Sequence, residues 1–233
     1  MNKEEIFKSI KGSVVISCQA LPNEPLYVEE KSIMYLMARA AKMAGSPAIR
    51  TNSVRDVIAI KKETGLPVIG LIKIEYEGSE VYITPTMKEV DELVDAKSDV
   101  IALDCTFSKR LNDESINDFI KSIKEKYPDV ILMADISTYE EGINAYKCGV
   151  DMVGTTMNGY TPQSIKENIN NLELVKKLTK EIDIPVIAEG KIHYPYQAKE
   201  ILDAGAYAVV VGGAITRPLE IAQRFINAAK GEI

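Results

Sequence analysis

Five ionisable side chains follow directly after short apolar runs in the chain. They are Arg50, Lys73, Asp104, Asp135 and Glu189. A charge in an apolar neighbourhood costs several kcal/mol unless it is paired or used in chemistry. Taken singly, each could be a solvated residue or part of a structural ion pair, but five at equivalent places predict a functional site.

Lys73 and Glu189 are the residues of this group whose surroundings point to proton transfer. Lys73 is flanked by Ile72 and Ile74, and loss of hydration lowers a lysine pKa from about 10.4 toward about 7 to 8, where the amine can act as a base or nucleophile. A lysine and a glutamate on opposite sides of one cavity could remove a proton from one face of a carbon and deliver one to the other. A salt bridge across the site is the alternative.

The elements that must position these residues are short strands alternating with helices. Val and Ile fill consecutive positions in the apolar runs, as in strands that are buried on both faces. We predict eight strands, at Val14–Gln19, Ala48–Thr51, Val68–Ile74, Val100–Thr106, Val130–Ile136, Met152–Thr156, Val186–Gly190 and Ala208–Gly213.

The segments between the runs carry apolar residues at spacings of three and four, which predicts amphipathic helices. Glycines such as Gly65 and Gly205 fall where helices should end, and Pro67 stands just before a strand. The predicted helices include Ser32–Ala44, Val54–Thr64, Met87–Ala96, Ile116–Tyr127, Leu172–Glu181 and Pro218–Lys230.

Eight strand–helix units in 233 residues predict an α/β fold, a single (β/α)8 TIM barrel occupying residues 1–233 as one domain. A doubly wound open sheet is the alternative, but the first run leads into Ala20-Leu21-Pro22 instead of a G-x-G-x-x-G turn. In a closed barrel the carboxyl ends of the strands share one rim. The runs before Lys73 and Glu189 are four strands apart, so these residues should face each other across the rim.

Glycines after the last two predicted strands indicate a phosphate site. Gly190, Gly212 and Gly213, with Arg217 just beyond, lie where many barrels bind a phosphate through backbone N–H groups and a helix N-terminus. Tight turns between strand and helix are the alternative explanation for the glycines.

Charge and composition exclude several classes of partner. The 28 Lys and Arg against 34 Asp and Glu give a net charge of −6, which opposes non-specific binding to nucleic acid or to anionic membranes. The N-terminal segment has no apolar core of a signal peptide, and the three cysteines are widely spaced. We therefore expect a cytoplasmic protein with no nucleic-acid or membrane partner, and we keep a homodimer as the candidate oligomeric state.

No side-chain spacing in the sequence predicts a metal centre. His193 is the single histidine and has no second His or Cys at ligand spacing. We expect no metal and no cofactor. A Mg²⁺ ion held by Asp104, Asp135 and Glu189 is the alternative.

Short motifs along almost the whole chain resemble the N-acetylmannosamine-6-phosphate 2-epimerases of sialic acid catabolism. The run from Gly212 to Pro218, together with Ala-Glu-Gly and Gly-x-x-Lys in the same order, is the most specific part of the resemblance. The motifs are Ser17-Cys-Gln-Ala20, Ala48-Ile-Arg50, Gly70-Leu-Ile-Lys73, Asp135-Ile-Ser-Thr-Tyr-Glu140, Gly159-Tyr-Thr161, Ala188-Glu-Gly190 and Gly212-Gly-Ala-Ile-Thr-Arg-Pro218.

The resemblance implies a metal- and cofactor-independent barrel that interconverts N-acetylmannosamine 6-phosphate and N-acetylglucosamine 6-phosphate, with this sugar phosphate as its small-molecule partner. It also implies that Lys73 and Glu189 transfer the protons. By the same resemblance, Gln19, Arg50, Asp135 and Arg217 bind the substrate, and Gly190, Gly212 and Gly213 lie at its phosphate. Lys191 departs from the arginine of many members, which keeps the charge but removes a bidentate donor.

Two other functions are compatible with the same residues. A Schiff-base aldolase also needs a lysine with apolar neighbours on a barrel strand, here Lys73. A non-catalytic barrel that senses a sugar phosphate or binds RNA is the second, and the negative net charge and the Lys73–Glu189 pair count against it.

Overall fold

Eight parallel strands close into a barrel in the computed structural model, which describes residues 1–167 and 171–232. Each strand is hydrogen-bonded to the next, and the last pairs with the first. This confirms the predicted (β/α)8 barrel and excludes the open sheet. The strands are β1 (Val14–Cys18), β2 (Ile49–Asn52), β3 (Val68–Leu71), β4 (Val100–Asp104), β5 (Leu132–Asp135), β6 (Met152–Gly154), β7 (Val186–Glu189) and β8 (Ala208–Val211).

Helices connect the strands and surround the barrel. A 3-10 turn lies at Leu111–Asp113. None of the described helices is both long enough and apolar enough to cross a bilayer. In the described residues the helices are α1 (Lys3–Ile10), α2 (Met34–Met43), α3 (Val54–Thr64), α4 (Met87–Asp95), α5 (Ile116–Lys126), α6 (Tyr139–Lys147), α7 (Pro162–Glu167), α8 (Asn171–Glu181), α9 (Pro195–Asp203) and α10 (Pro218–Lys230).

Local sequence signals fix several of these helix ends. Thr138 caps α6 in a capping box with Glu141, which satisfies two of the backbone N–H groups left free at a helix start. At the end of α3, Gly65 adopts φ +66°, a left-handed conformation that costs glycine little.

Two apolar layers alternate along the strands. Val15 of β1 packs in the barrel interior and Ile16 packs against the surrounding helices, because successive strand side chains point to opposite faces. Because of this alternation, one set of polar residues and glycines faces the barrel interior at its carboxyl end. These positions are Gln19, Arg50, Lys73, Asp104, Asp135, Thr156, Glu189 and Gly212.

The amino end of the barrel is closed by α1. Ile6 and Ile10 of this helix are buried in the interior cluster. Beside them, the carboxylate of Asp151 accepts from the Lys3 ammonium, from Lys124 Nζ at 2.7 Å and from Leu132 N at 2.8 Å.

One strand prediction is wrong in its extent, because Val68–Ile74 does not remain in the barrel sheet. β3 ends at Leu71, and Lys73 forms an isolated antiparallel bridge with Ile83. The backbone turns out of the sheet because Ile74 N donates to Tyr82 O at 3.0 Å and Thr84 N donates to Ile72 O at 2.7 Å. The result is a hairpin between β3 and α4 that extends over the carboxyl end of the barrel.

Candidate active site

A cavity of about 220 Å³ opens at the carboxyl end of the barrel. Most of the predicted site residues line it, and they lie on or just after β1, β2, β3, β7 and β8, which are consecutive strands of the closed barrel. Asp135 is the exception, because it is fully buried and contacts the site through Arg50. The predicted residues that line the cavity are Gln19, Arg50, Lys73, Glu189, Gly190, Gly212, Gly213 and Arg217.

Arg50 is shared by two carboxylates in the floor of this cavity. Its side chain is 1% exposed; Nη2 donates to Asp135 Oδ2 at 2.6 Å, and Nη1 lies 3.4 Å from Met133 Sδ. Nε lies 3.1 Å from Glu189 Oε2, as an ion pair without a hydrogen bond. Asp135 therefore fixes the guanidinium and leaves part of it directed toward Glu189 and the cavity.

Lys73 places a partly desolvated amine in the same cavity. Its backbone N–H donates to Asn52 Oδ1 at 2.8 Å, which fixes the residue just beyond β3. Burial, reinforced by the positive charges of Arg50 and Arg217, lowers the pKa of Lys73 to about 8. A substantial fraction of the amine is therefore neutral near pH 7 to 8, as a base requires.

Glu189 is the acid that faces Lys73 from β7. Burial raises the pKa of Glu189 to about 7, although the charge of Arg50 opposes the rise. Its backbone is held by Thr155, whose hydroxyl accepts from Glu189 N at 3.1 Å. Asn171 Nδ2 donates to the carbonyl oxygens of Glu189 and Gly190 at 2.9 and 3.0 Å.

The predicted alternative of a Lys73–Glu189 salt bridge does not match the contacts. Within 1–167 and 171–232, the ion pair formed by Glu189 is with Arg50. The two groups share the cavity without being locked together, although their charges influence each other. Both groups are therefore open to a ligand in the cavity.

Gln19 presents an unused acceptor in the site. Its Nε2 donates to Ser17 Oγ at 2.9 Å, while its Oε1 is buried without a hydrogen-bond partner among the described residues. A buried amide oxygen without a donor is costly. Gln19 is therefore suited to accept a hydrogen bond from a hydroxyl or amide N–H group of a ligand.

On the glycine side of the cavity, Arg217 is already paired with two carboxylates. Arg217 Nε lies 2.7 Å from Glu24 Oε1, and Nη1 lies 3.4 Å from Glu220 Oε1. A Cβ on Gly213 would lie 2.2 Å from Glu220 Oε2, so any larger residue would displace that carboxylate. An anion bound here would compete with two carboxylates for the guanidinium.

Asp104, the fifth ionisable strand-end residue, lies outside the cavity lining. Burial raises its pKa to about 6, and its carboxylate accepts from Thr106 N at 3.0 Å and from Thr106 Oγ1 at 2.6 Å. In the part of the chain that is described, no three His, Cys, Asp or Glu residues are placed to hold a metal ion. The alternative of a Mg²⁺ site on Asp104, Asp135 and Glu189 thus finds no support in the described side chains.

Two site residues are absent from the predicted set. Tyr82, in the hairpin after β3, lines the cavity with its hydroxyl 3.6 Å from Met157 Sδ. Thr156 also lines the cavity, and its hydroxyl contacts both Asp135 and Glu189. The sequence carries a sign of each residue. Residues 81–83 form a short apolar run around Tyr82. The alternation of side chains along β6 makes Thr156, and not Thr155, face the barrel interior.

Lys191 and Tyr160 cover one side of the cavity mouth. Lys191 Nζ donates to Gly159 O at 3.0 Å and lies 5.1 Å from the centre of the Tyr160 ring, a cation–π distance. His193 also lines the mouth, where Arg224 Nη1 lies 3.3 Å from its Nδ1.

A protein-family model matches most of the chain. Residues 34–231 match the family model described as "Putative N-acetylmannosamine-6-phosphate epimerase". A Clostridium perfringens protein with the corresponding 2-epimerase description is 51% identical over 221 residues, which are 95% of this chain and 98% of the relative. One from Caldanaerobacter subterraneus is 48% identical over 97% of this chain and 94% of its own length.

A solved structure agrees with these sequence relatives. The N-acetylmannosamine-6-phosphate 2-epimerase from Clostridium perfringens superposes with a TM-score of 0.90 at 49% identity, over 98% of both chains. Thiamine phosphate pyrophosphorylase from Pyrococcus furiosus, at 21% identity and a TM-score of 0.59 over 95% of this chain and 96% of its own, shares only the fold.

Proposed function

The chain belongs to the N-acetylmannosamine-6-phosphate epimerase family, and from this premise we propose how its barrel interconverts N-acetylmannosamine 6-phosphate and N-acetylglucosamine 6-phosphate. The protein is a carbohydrate epimerase that inverts one carbon of an amino-sugar phosphate. The observation that supports the mechanism is that Lys73 and Glu189 enter one cavity from opposite strands, with pKa values of about 8 and about 7.

The two sugars differ in configuration at C2, so the enzyme must break and remake the C2–H bond. This hydrogen is acidic only when C1 is a carbonyl, which makes the open-chain sugar the reacting form. A base removes the C2 proton, the electron pair of the C–H bond moves into an enolate, and an acid on the opposite face returns a proton to C2. The acetamido group stays intact throughout.

Lys73 and Glu189 supply this acid and base in both directions. For one epimer, neutral Lys73 accepts the C2 proton and protonated Glu189 donates; for the other, Glu189 carboxylate accepts and the Lys73 ammonium donates. Both starting states hold one proton on the pair. The closeness of the two pKa values makes both states accessible, and the pair titrates as a unit.

Arg50 is the donor best placed to stabilise the enolate. It lines the cavity beside Glu189, and Asp135 holds its guanidinium from behind. A cation that is positioned before the reaction stabilises developing negative charge without having to reorganise. Asp135 therefore contributes by orienting Arg50, and Gln19 by accepting from a polar group of the sugar.

The phosphate of the substrate binds on the glycine side of the cavity. Gly190, Gly212 and Gly213 place backbone close to the ligand, and Arg217 at the start of α10 provides the cation. At this guanidinium the phosphate competes with the carboxylates of Glu24 and Glu220.

Proton NMR of N-acetylmannosamine 6-phosphate with the purified protein in D₂O tests this function. We expect N-acetylglucosamine 6-phosphate that carries deuterium at C2. Product that keeps its original C2 hydrogen would contradict proton transfer through the two residues. Cleavage of the sugar, with borohydride trapping of substrate on Lys73, would instead identify an aldolase.

Independence from metals and cofactors stays a prediction. The steps above use only an acid, a base and hydrogen-bond donors of the chain. Turnover should therefore survive dialysis against EDTA. Activity that is lost on dialysis and restored by Mg²⁺ would contradict the mechanism.

The remaining proposals concern assembly and location. We infer a one-domain chain that forms a homodimer through α10, where Leu219, Phe225 and Ile226 are 58%, 76% and 49% exposed. Light scattering of the purified protein tests the dimer.

The three unpaired cysteines support a reducing, cytoplasmic location, and the net charge of −6 supports the absence of a nucleic-acid partner.

A further inference from the structure

Two neighbouring threonines beyond β6 contact Glu189 in different ways. Thr155 is fully buried and faces outward, where its hydroxyl bonds the backbone of Glu189 and Asn171 Oδ1. Thr156 faces the cavity, and its hydroxyl lies between two carboxyl groups. The first supports the chain, whereas the second contacts the acid–base group itself.

The distances around Thr156 determine where its one proton lies. Thr156 Oγ1 is 2.5 Å from Asp135 Oδ1 and 3.3 Å from Glu189 Oε2. A hydroxyl has a single proton and two acceptor lone pairs, and the shorter contact takes the proton. A lone pair of Thr156 Oγ1 therefore faces Glu189.

We propose that Thr156 is a positioning residue whose hydroxyl follows the proton on Glu189. When Glu189 is protonated, its O–H donates to Thr156 Oγ1 while Thr156 donates to Asp135, which makes two hydrogen bonds. When Glu189 is a carboxylate, the same hydroxyl can donate to only one of the two residues. The inference rests on the proposed function, because it requires Glu189 to exchange a proton.

This bond count favours the acid form of Glu189. A lone pair facing a carboxylate oxygen is repulsive, whereas a lone pair facing a carboxylic acid accepts a hydrogen bond. Burial raises the pKa of Glu189 to about 7. A Thr156 hydroxyl that donated to the Glu189 carboxylate would lower this pKa, whereas one that donates to Asp135 and accepts from the acid form adds to the rise. Thr156 thereby holds the carboxyl group at a fixed orientation while the proton moves to and from the substrate.

Other charged and titratable groups around Glu189 also influence its pKa. Arg50 faces it from β2, Lys73 from the segment after β3, Asp135 from β5 and Tyr160 from the loop after β6. On the β8 side, Val210 is the register partner and carries no charge. Removing the Thr156 hydroxyl changes no charge in this group, although Asp135 loses the hydrogen bond that it accepts from Thr156.

The pH profile of kcat/KM for N-acetylmannosamine 6-phosphate tests the proposal with Thr156→Val. The wild type should show a bell with limbs near pH 7 and pH 8, which report Glu189 and Lys73 as a coupled pair. Loss of one net hydrogen bond from the acid form should move the acid limb to lower pH by about 0.5 to 1 unit and leave the basic limb in place. The substrate phosphate, with a pKa near 6, is the same in all variants.

Matched variants separate this effect from a loss of packing. Thr156→Ser keeps the hydroxyl and should restore the wild-type acid limb, while Thr155→Val should lower the melting temperature without moving that limb. An acid limb that stays or rises in Thr156→Val, or falls equally in Thr155→Val, would overturn the proposal. A wild type without epimerase activity would refute the proposed function instead, so the two failures are distinguishable.

Discussion

Both ends of the barrel pair aspartate with cations, but the two clusters have opposite balances of charge. At the amino end, one carboxylate, that of Asp151, faces two lysines, Lys3 and Lys124. At the carboxyl end, one guanidinium, that of Arg50, faces two carboxyl groups. Burial and the cations around each carboxyl group together determine whether that group retains a proton near neutral pH.

The pKa values at the two ends move in opposite directions. Burial alone would raise the pKa of Asp151, but the hydrogen bonds from Lys124, Lys3 and a backbone N–H lower it below its ordinary value. At the other end, burial raises the pKa of Glu189 to about 7 although Arg50 opposes it. The amino end thus holds a fixed charge that stabilises the fold, and the carboxyl end retains a proton that can be exchanged near neutral pH.

The largest expected effect is the loss of activity at the carboxyl end. Lys73→Met and Glu189→Gln should each lower kcat/KM by at least about 10³-fold in both directions, because each removes one of the two proton carriers. Melting temperatures should not fall. Burial disfavours the Lys73 ammonium in the folded state, so methionine should leave stability equal or increase it.

Steady-state assays and thermal unfolding of the same samples check this prediction. Lys121→Met, on the exposed face of α5, is the control and should change neither quantity. If Lys73→Met kept more than a tenth of the wild-type activity, the assignment of catalysis to the carboxyl end would be contradicted.

The next largest effect is expected at the amino end, where a substitution should lower stability and leave activity nearly unchanged. Ile6 of α1 is 1% exposed and packs in the barrel interior, so Ile6→Ala should lower the free energy of unfolding by about 2 to 4 kcal/mol. Turnover of the folded enzyme at 25 °C should stay within about twofold of wild type. Urea unfolding measures the loss, and Ile58→Ala, at a 52% exposed position of α3, is the control.

The strands and most of the site were predictable because both depend on short-range patterns. Continuous Val and Ile runs indicate strands buried on both faces, and barrel closure brings their carboxyl ends to one rim. Lys73 and Glu189 could therefore be placed opposite each other from the sequence.

Contacts between distant segments were beyond the reach of the sequence. Tyr82 enters the site only because residues 72–74 pair with 82–84 instead of continuing in the barrel. Glu24 meets Arg217, and Lys3 meets Asp151, across 148 residues. No local periodicity encodes such pairs, because each depends on the orientation of side chains after closure.

Arg217→Ala tests the glycine side of the carboxyl end. The variant should raise KM for N-acetylmannosamine 6-phosphate by about 10- to 100-fold with a smaller change in kcat, because it removes a charge-assisted contact to the phosphate. Preference for the phosphorylated over the free sugar should shrink by a similar factor.

Kinetics with N-acetylmannosamine and its 6-phosphate measure both quantities, with Arg39→Ala on the surface of α2 as control. A wild type that uses the free sugar as efficiently as the phosphate would contradict the phosphate assignment.

The smallest expected effect is the pH-dependent stability supplied by Asp151. Its pKa is lowered in the folded protein, so its contribution is fully present above the unfolded pKa of about 3.9 and is lost as pH falls through the lower folded value. Asp151→Asn should therefore cost about 1 to 2 kcal/mol at pH 7. The difference from wild type should shrink below about pH 4.

Urea unfolding at pH 7, 5 and 3.5 measures this difference. Asp203→Asn, which removes an exposed pair with Lys199, should change stability by less than about 0.5 kcal/mol at each pH. The limbs of the activity profile near pH 7 and 8 should not move in Asp151→Asn, because the cluster lies at the opposite end of the barrel from Lys73 and Glu189. A shifted activity profile, or a stability cost that grows on acidification, would show that the two charge clusters are coupled through the barrel.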